Sequence, residues 1–226
     1  MKNFLISIAF LFSATCSHSQ ELSQVTFSGG ANLSYFSFLT DQGVLIRIND
    51  QGKIIEWGIE MYSDRYNYYA PKLQPFMGRI DYYGSESDSV FRGKVRSIGT
   101  CSFTYYNSYE TDSKPGKLRS IGNQILDYYS NFDNAAFRGK LKFAGNLMLE
   151  YYTSFEDEPF RGKLKTINNT LIKYYSSFDD KSIKGKIKSI GSVDYQWYTS
   201  FDVGRTGALK SGLYRQNING ITYILQ

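Results

Sequence analysis

Residues 116–133 read GKLRSIGNQILDYYSNFD, and residues 139–156 read GKLKFAGNLMLEYYTSFE. The Gly-Lys pair that opens both stretches recurs at Gly93-Lys94, Gly116-Lys117, Gly139-Lys140, Gly162-Lys163 and Gly185-Lys186, in steps of 23 residues. An aromatic pair keeps the same phase at Tyr105-Tyr106, Tyr128-Tyr129, Tyr151-Tyr152, Tyr174-Tyr175 and Trp197-Tyr198. Tyr82-Tyr83 adds half a unit upstream, and TGALKSG (206–212) is a worn first half that arrives one residue early. Self-similarity at a fixed short period is the signature of a repeat architecture, in which each unit contacts mainly its neighbours.

One unit encodes two short strands and a connection. KVRSI (94–98) and SFTYYNSY (102–109) are strand-like, and between such pairs lie GTC, GNQ, GNL, NNT and GSV. Gly and Asn there tolerate the positive φ of a tight hairpin turn. A three-residue turn is the expected register, because it sets Val95, Leu118, Leu141, Leu164 and Ile187 opposite the first aromatic of their own unit. Phe103, Leu126, Leu149, Ile172 and Tyr195 join them on that side. A one-residue slip would mix polar and apolar faces. Lys94, Lys117, Lys140, Lys163 and Lys186 then lie opposite Tyr106, Tyr129, Tyr152, Tyr175 and Tyr198 on the other face. Arg119 faces Asp127 and Lys142 faces Glu150 there, while Lys165 meets Lys173 unfavourably.

The expected fold is therefore all-β: tandem 23-residue hairpins in an elongated, curved or rolled antiparallel sheet. Twenty Tyr and 16 Phe among 226 residues suit half-buried sheet surfaces. The flanks read as β-structure too, with VLIRINDQGKIIEWGI (44–59) bending at NDQG and NINGITYILQ closing the chain. The organisation expected is an export signal (1–19), N-terminal hairpins as a cap (20–81), the array (82–203), and a degenerate repeat with a capping strand (204–226).

The signal reading rests on Lys2, the apolar run FLISIAFLF (4–12), and small residues Ser17 and Ser19 before a cut at Gln20. A lipoprotein through Cys16 is disfavoured by Thr15 directly before it. Cleavage would remove the sole histidine, His18, and one of two cysteines, leaving Cys101 alone and no intrachain disulfide. It would lower the net charge from +5 to +4, a mild and dispersed charge that argues against nucleic acid as partner. No later segment is apolar enough to cross a membrane, so a periplasmic, cell-surface or secreted location is expected.

With these columns in place, the segment YYSNFDNAAFRGKLKFAG (128–145) resembles MORN-like (YwqK-type) bacterial β-hairpin repeats, in which a Tyr-Tyr pair is followed by an Asn-Gly-Lys stretch and another strand. The resemblance covers residues 82–202, about half the chain. A looser likeness, through GKL and FD, is to the YD repeats of large bacterial surface proteins. The resemblance implies scaffolding, membrane-proximal or partner-binding roles and no catalysis, and it assigns no functional residues.

Chemistry is mostly excluded by residue type. Without histidine there is no Ser-His or Cys-His nucleophile, and Cys101 stands at a turn in a single unit, without the activating neighbour a reactive thiol needs. Clustered Cys and His for zinc are missing, and no cofactor is implied. Carboxylates remain, at Glu156 and Glu158 with Asp179 or Asp180, and these would support glycoside hydrolysis only at a suitable separation. Acids recur in phase, however, as Glu110, Asp133, Asp179 and Asp202, which is the pattern of solvated connections rather than of a single active site. The leading expectation is a non-enzymatic scaffold or protein-interaction module. The alternative is a polysaccharide-binding module, in which Tyr106, Tyr129, Tyr152, Tyr175 and Tyr198 stack on sugars beside Lys94, Lys117, Lys140, Lys163 and Lys186.

Overall fold

A computed structural model describes residues 21–61 and 72–226. The expected export signal, with Cys16, His18 and its cut at Gln20, lies outside the described residues. The rest is all-β: an 11-stranded sheet of consecutive hairpins, a 7-stranded sheet and a short two-stranded piece. The long sheet runs in chain order from Ile80–Tyr82 to Val193–Asp194 and is not closed into a barrel. Gln196–Trp197 with Leu209–Ser211 forms the two-stranded piece, where the worn repeat takes the place of a sixth first strand.

The hairpin turns have two residues, not the three expected. Ile98 pairs with Cys101 and Ser97 with Ser102; Ile121 likewise pairs with Gln124 and Ser120 with Ile125. The first turn residue is left-handed throughout, at Gly99 (φ 56°), Gly122 (φ 53°), Gly145 (φ 59°), Asn168 (φ 46°) and Gly191 (φ 57°). The objection that a two-residue turn mixes the faces is met by a β-bulge. Across the boundary between units Thr104 pairs with Ser120 but Tyr105 pairs with Leu118, so Arg119 is an extra residue. The same skip falls at Arg96, Lys142, Lys165, Lys188 and Lys210. An extra residue bends the strand and resets its alternation. Leu118 and Ile121, three apart, are thereby both fully buried. The apolar–aromatic partners are real but belong to neighbouring units: Tyr82 with Val95, Tyr105 with Leu118, Tyr128 with Leu141, Tyr151 with Leu164, Tyr174 with Ile187.

The bulge also redirects the charges. Arg119 does not meet Asp127, which pairs instead with Lys114 at 2.7 Å, and Lys165 reaches Glu156 at 3.5 Å, not Lys173.

The flanking hairpins cover the face of the array as well as its ends. Their sheet runs Arg215–Ile218, Ile221–Leu225, Glu21–Ser28, Asn32–Leu39, Val44–Ile48, Ile54–Glu60, Leu73–Gln74. A parallel pairing of Glu21–Ser28 with Ile221–Leu225 brings both flanks of the array into that one sheet. Phe27, Phe36, Phe38, Ile46 and Ile48 from it share a core with Leu118, Leu126, Leu141, Leu149 and Ile187 of the array. The physical reason is length. Every unit contributes an apolar face, so burial at about 25 cal/mol per Å² is gained only by cover along the whole row. The two sheets are pinned by Leu141 N–H to Asp50 O (2.7 Å), Ile187 N–H to Gly30 O (2.8 Å) and the Lys140–Asp50 ion pair (3.1 Å). Gly30 lies so close to Trp197 that a Cβ there would come within 1.9 Å of the indole.

Candidate functional site

The Gly-Lys and Tyr-Tyr columns build a ladder between successive units. Each lysine donates from Nζ to the glycine carbonyl of the next unit: Lys94 to Gly116, Lys117 to Gly139, Lys140 to Gly162 (2.8 Å) and Lys163 to Gly185 (2.6 Å). Lys186 departs from this pattern and donates to Gly29 of the covering sheet at 2.8 Å, although Gly207 of the worn repeat stands in the equivalent place. The same ammonium groups lie over the first aromatic of their own units, from Lys186 at 4.3 Å over Trp197 to Lys140 and Lys163 at 5.2 Å over Tyr151 and Tyr174. Burial pulls the ammonium groups of Lys94, Lys117 and Lys186 below the usual lysine range, and burial with the neighbouring Lys186 brings Lys163 down to about 8.

The second tyrosines are spent on the same ladder. Tyr106 donates its hydroxyl to Leu126 O, Tyr129 to Leu149 O, Tyr152 to Ile172 O and Tyr175 to Tyr195 O, each at 2.9 Å. The basic residue of each bulge lies over these rings: Arg119 over Tyr106, Lys142 over Tyr129, Lys165 over Tyr152, Lys188 over Tyr175 and Lys210 over Tyr198. Phe137 and Phe160 pack against Tyr129 and Tyr152 at 4.6 and 4.8 Å between centroids. Tyr106 and Tyr129 are each only 8% exposed, while Tyr152, Tyr175 and Tyr198 are half-buried. The outward face expected for this column is therefore a correction: the hydroxyls of Tyr106, Tyr129, Tyr152 and Tyr175 hold one unit to the next, while that of Tyr198 accepts from Arg205 at 3.2 Å.

A different column is open. Five connections carry an aromatic three residues beyond the second tyrosine, and these are the exposed rings Tyr109 (89%), Phe132 (98%), Phe155 (90%), Phe178 (97%) and Phe201 (88%). They share the 23-residue period, and with two strands per unit they recur about every 10 Å along the array. In the half unit upstream the position is Glu86, so the row begins at Tyr109.

The backbone under each ring is fixed. The ring is the third residue of a four-residue turn closed by Asp133 N–H to Ser130 O (3.2 Å), Asp179 N–H to Ser176 O (3.2 Å) and their equivalents. The residue just before the ring donates its N–H to a side chain of the preceding unit. Ser108 reaches Asp88 (2.8 Å), Ser154 reaches Asn134 (3.0 Å), Ser177 reaches Asp157 (2.7 Å) and Ser200 reaches Asp180 (3.0 Å). Asn131 is tied to Asp112 in the same way. These hydrogen bonds hold the carboxyls of Asp88 and Asp157 below the usual range, and at Asp180 the hydroxyls of Ser182 and Ser200 do so.

The acids considered for hydrolysis sit in this scaffolding. Asp180 accepts from Ser182 and Ser200, Asp179 from Ser176 (2.6 Å), Glu156 pairs with Lys165, and Glu158 begins the 3-10 turn Glu158–Phe160. Cys101 is buried, and burial lifts its thiol to about 11, far from the thiolate form. Among the described residues no group of three or more His, Cys, Asp or Glu is placed to hold a metal ion, and no helix is long and apolar enough to cross a membrane. A cavity of about 500 Å³ lies between Trp57, Tyr82 and Tyr105 where the covering sheet ends, with Lys94 and Lys117 in its wall.

In comparisons with known proteins, no family model, no curated protein and no solved structure matches this chain. The exposed row was missed by reasoning from sequence because the connections were read as polar. The signal was present: an aromatic in strict phase inside a Ser/Asp-rich loop, with a second aromatic for packing, Phe137 or Phe160, in two of the five.

Proposed function

We propose that this chain is an exported, non-enzymatic docking scaffold of the cell envelope or surface, and that the ring row on its connections is the contact surface. The observation that carries this reading is the exposure of all five in-phase rings, Tyr109 to Phe201, at 88–98%. Isolated apolar side chains on a surface need no explanation, but a fixed, regularly spaced row does. The ladder supports the same reading, since it stiffens the array and commits the Gly-Lys and Tyr-Tyr columns to structure. The MORN-like resemblance, with its scaffolding and partner-binding roles, agrees.

The test is sedimentation of the purified protein with an insoluble envelope fraction of its own cells. The protein is expected to sediment, and a variant with Phe132, Phe155 and Phe178 all changed to Ser is expected to stay in solution with unchanged circular dichroism. Equal sedimentation of both proteins would remove the row from the function.

A further inference from the structure

The chemistry beside the rings narrows what the row can hold. Resting on the docking reading, we infer that its ligand is an extended, uncharged polysaccharide lying along Tyr109, Phe132, Phe155, Phe178 and Phe201.

Spacing is the first ground. The rings stand about 10 Å apart, one per pair of strands, and each is held by a closed turn and by a hydrogen bond donated to the unit before it. A ligand that uses all five rings must itself repeat along a line. Pyranose chains do so, presenting an apolar C–H face at regular intervals for an aromatic ring to cover. A globular protein partner without internal repeats offers no such translational period. Its binding energy concentrates in one contiguous, desolvated patch, which separated rings do not provide.

Charge is the second ground. The residue after every ring is an acid: Glu110, Asp133, Glu156, Asp179 and Asp202. Across the five connections nine carboxylates, from Glu110 to Asp202, outnumber six basic side chains, from Lys114 to Arg205, although the whole chain carries +5. An anionic lipid surface recruits clustered lysine and arginine, the reverse of this edge. Nucleic acid requires cations at the contact for the same reason. A second copy of this edge, which shares the repeat, would set acid beside acid at every ring. At Asp133, Asp179 and Asp202 one carboxylate oxygen is taken by the turn, from Ser130, Ser176 and Thr199 N–H, and the other is placed to accept from a sugar hydroxyl, a bond among the stronger ones.

Rigidity is the third ground. Turns tied to their neighbours lose little freedom on binding, so weak stacking at each ring adds up along one chain.

Affinity electrophoresis of the whole protein tests this, in gels cast with soluble neutral polysaccharides (hydroxyethyl cellulose, galactomannan, xyloglucan and a β-1,3-glucan) and with anionic alginate as control. Retardation is expected in at least one neutral gel, not in alginate, and with little change on adding salt, because uncharged contacts are not screened. Phe155→Ser should weaken retardation several-fold, and the Phe132→Ser/Phe155→Ser/Phe178→Ser triple variant should lose it, by at least about tenfold, through lost avidity. An unshifted melting temperature confirms that the variants are folded. No retardation in any neutral gel, or retardation that the triple variant keeps, overturns the polysaccharide. Two further results would also overturn it while leaving the docking surface standing: ring-dependent flotation with vesicles of phosphatidylglycerol and phosphatidylcholine, or a ring-dependent dimer in size-exclusion chromatography. Envelope sedimentation indifferent to the rings is the separate result that removes the docking reading itself.

Discussion

Tyr129 and Phe132 stand three residues apart in one connection and repeat with one period, yet they have opposite fates. Tyr129 is 8% exposed and Phe132 is 98% exposed. Tyr129 has a hydroxyl to give to Leu149 O in the next unit, a cation over its ring from Lys142 and a packing partner in Phe137. Phe132 has a fixed turn beneath it and no such partners. The lesson is that in-phase recurrence alone does not separate a structural column from a functional one. The distinction lies in what the next unit offers to the side chain.

The comparison is most strongly tested by removing both rings in turn. Tyr129→Ala removes a buried aromatic and leaves Leu149 O without its donor, so a loss of about 3–5 kcal/mol is expected in chemical denaturation. The same measurement on Tyr152→Ala should give a smaller loss, as its ring is only half-buried. If Tyr129→Ala and Phe132→Ala were equally harmless, the two-column description would be wrong.

Glycine answers why the repeat keeps Gly before Lys. Gly162 has φ 70°, and a Cβ there would lie 2.5 Å from the carbonyl oxygen of Ala136 in the preceding connection. Gly43 has φ 72° with nothing within 4 Å of such a Cβ. Left-handed backbone costs a non-glycine residue about 1–2 kcal/mol. Gly43→Ala should show roughly that loss, and Gly162→Ala should show more, because backbone must also move. Equal losses at the two sites would mean that the units are less tightly stacked than the ladder requires.

Alkaline pH probes the inner column as a whole. Burial pushes the phenol of Tyr129 up to about 12 from an ordinary value of 10, and raises those of Tyr106, Tyr152 and Tyr175 in the same direction. Below pH 10 folded and unfolded chains both hold the proton, and the contribution of the column is fully present. From pH 10 to about 12 the unfolded chain releases protons that the folded chain retains, so stability falls across that window. Denaturation midpoints measured from about pH 10.5 upward, above the window in which the lowered Lys163 ammonium and its neighbours act in the opposite direction, with tyrosinate absorbance followed in parallel, should show this decline. Flat midpoints to pH 12 would contradict the buried ladder. A finer cut is Tyr129→Phe, which keeps the ring and removes only the hydroxyl, with an expected loss of about 0.5–1.5 kcal/mol.

Much of this architecture was legible in the residues. The period, the hairpins, the inward set Phe103, Leu126, Leu149 and Ile172, and the β-character of both flanks follow from spacing and residue type. The register did not, because a face-consistent alternation was assumed through Lys94–Ile98, whereas Arg96 is an added residue that breaks it. A bulge has no composition signal of its own; its mark here is a basic residue in phase, and its reason becomes visible only when Arg96 is found over Tyr83. The laying of the flanks over the array was equally hidden, since pairing of Glu21–Ser28 with Ile221–Leu225 joins segments nearly the whole chain apart. At the candidate site the period reveals the tyrosine column but not its burial, and the exposed ring column shares that period inside segments whose composition is that of a loop. Both are missed when the connection is read as solvent, because hydrogen bonds such as Ser200 N–H to Asp180 make it part of the ladder.

The smallest effect expected on stability is the one that bears most on function. Phe132→Ser, Phe155→Ser and Phe178→Ser each replace a ring that is at least 90% exposed, so each should change folding stability by no more than about 0.5 kcal/mol. The turn beneath each ring is closed by backbone and by neighbouring Ser and Asp side chains, which these changes leave in place. Serine also loses nothing that the fold uses, whereas proline or glycine would alter the backbone and confuse the result. The neutral change in denaturation is thus the necessary partner of the expected loss in docking. A stability loss as large as that of Tyr129→Ala would place these rings inside the fold and leave the edge of the array without its distinguishing feature.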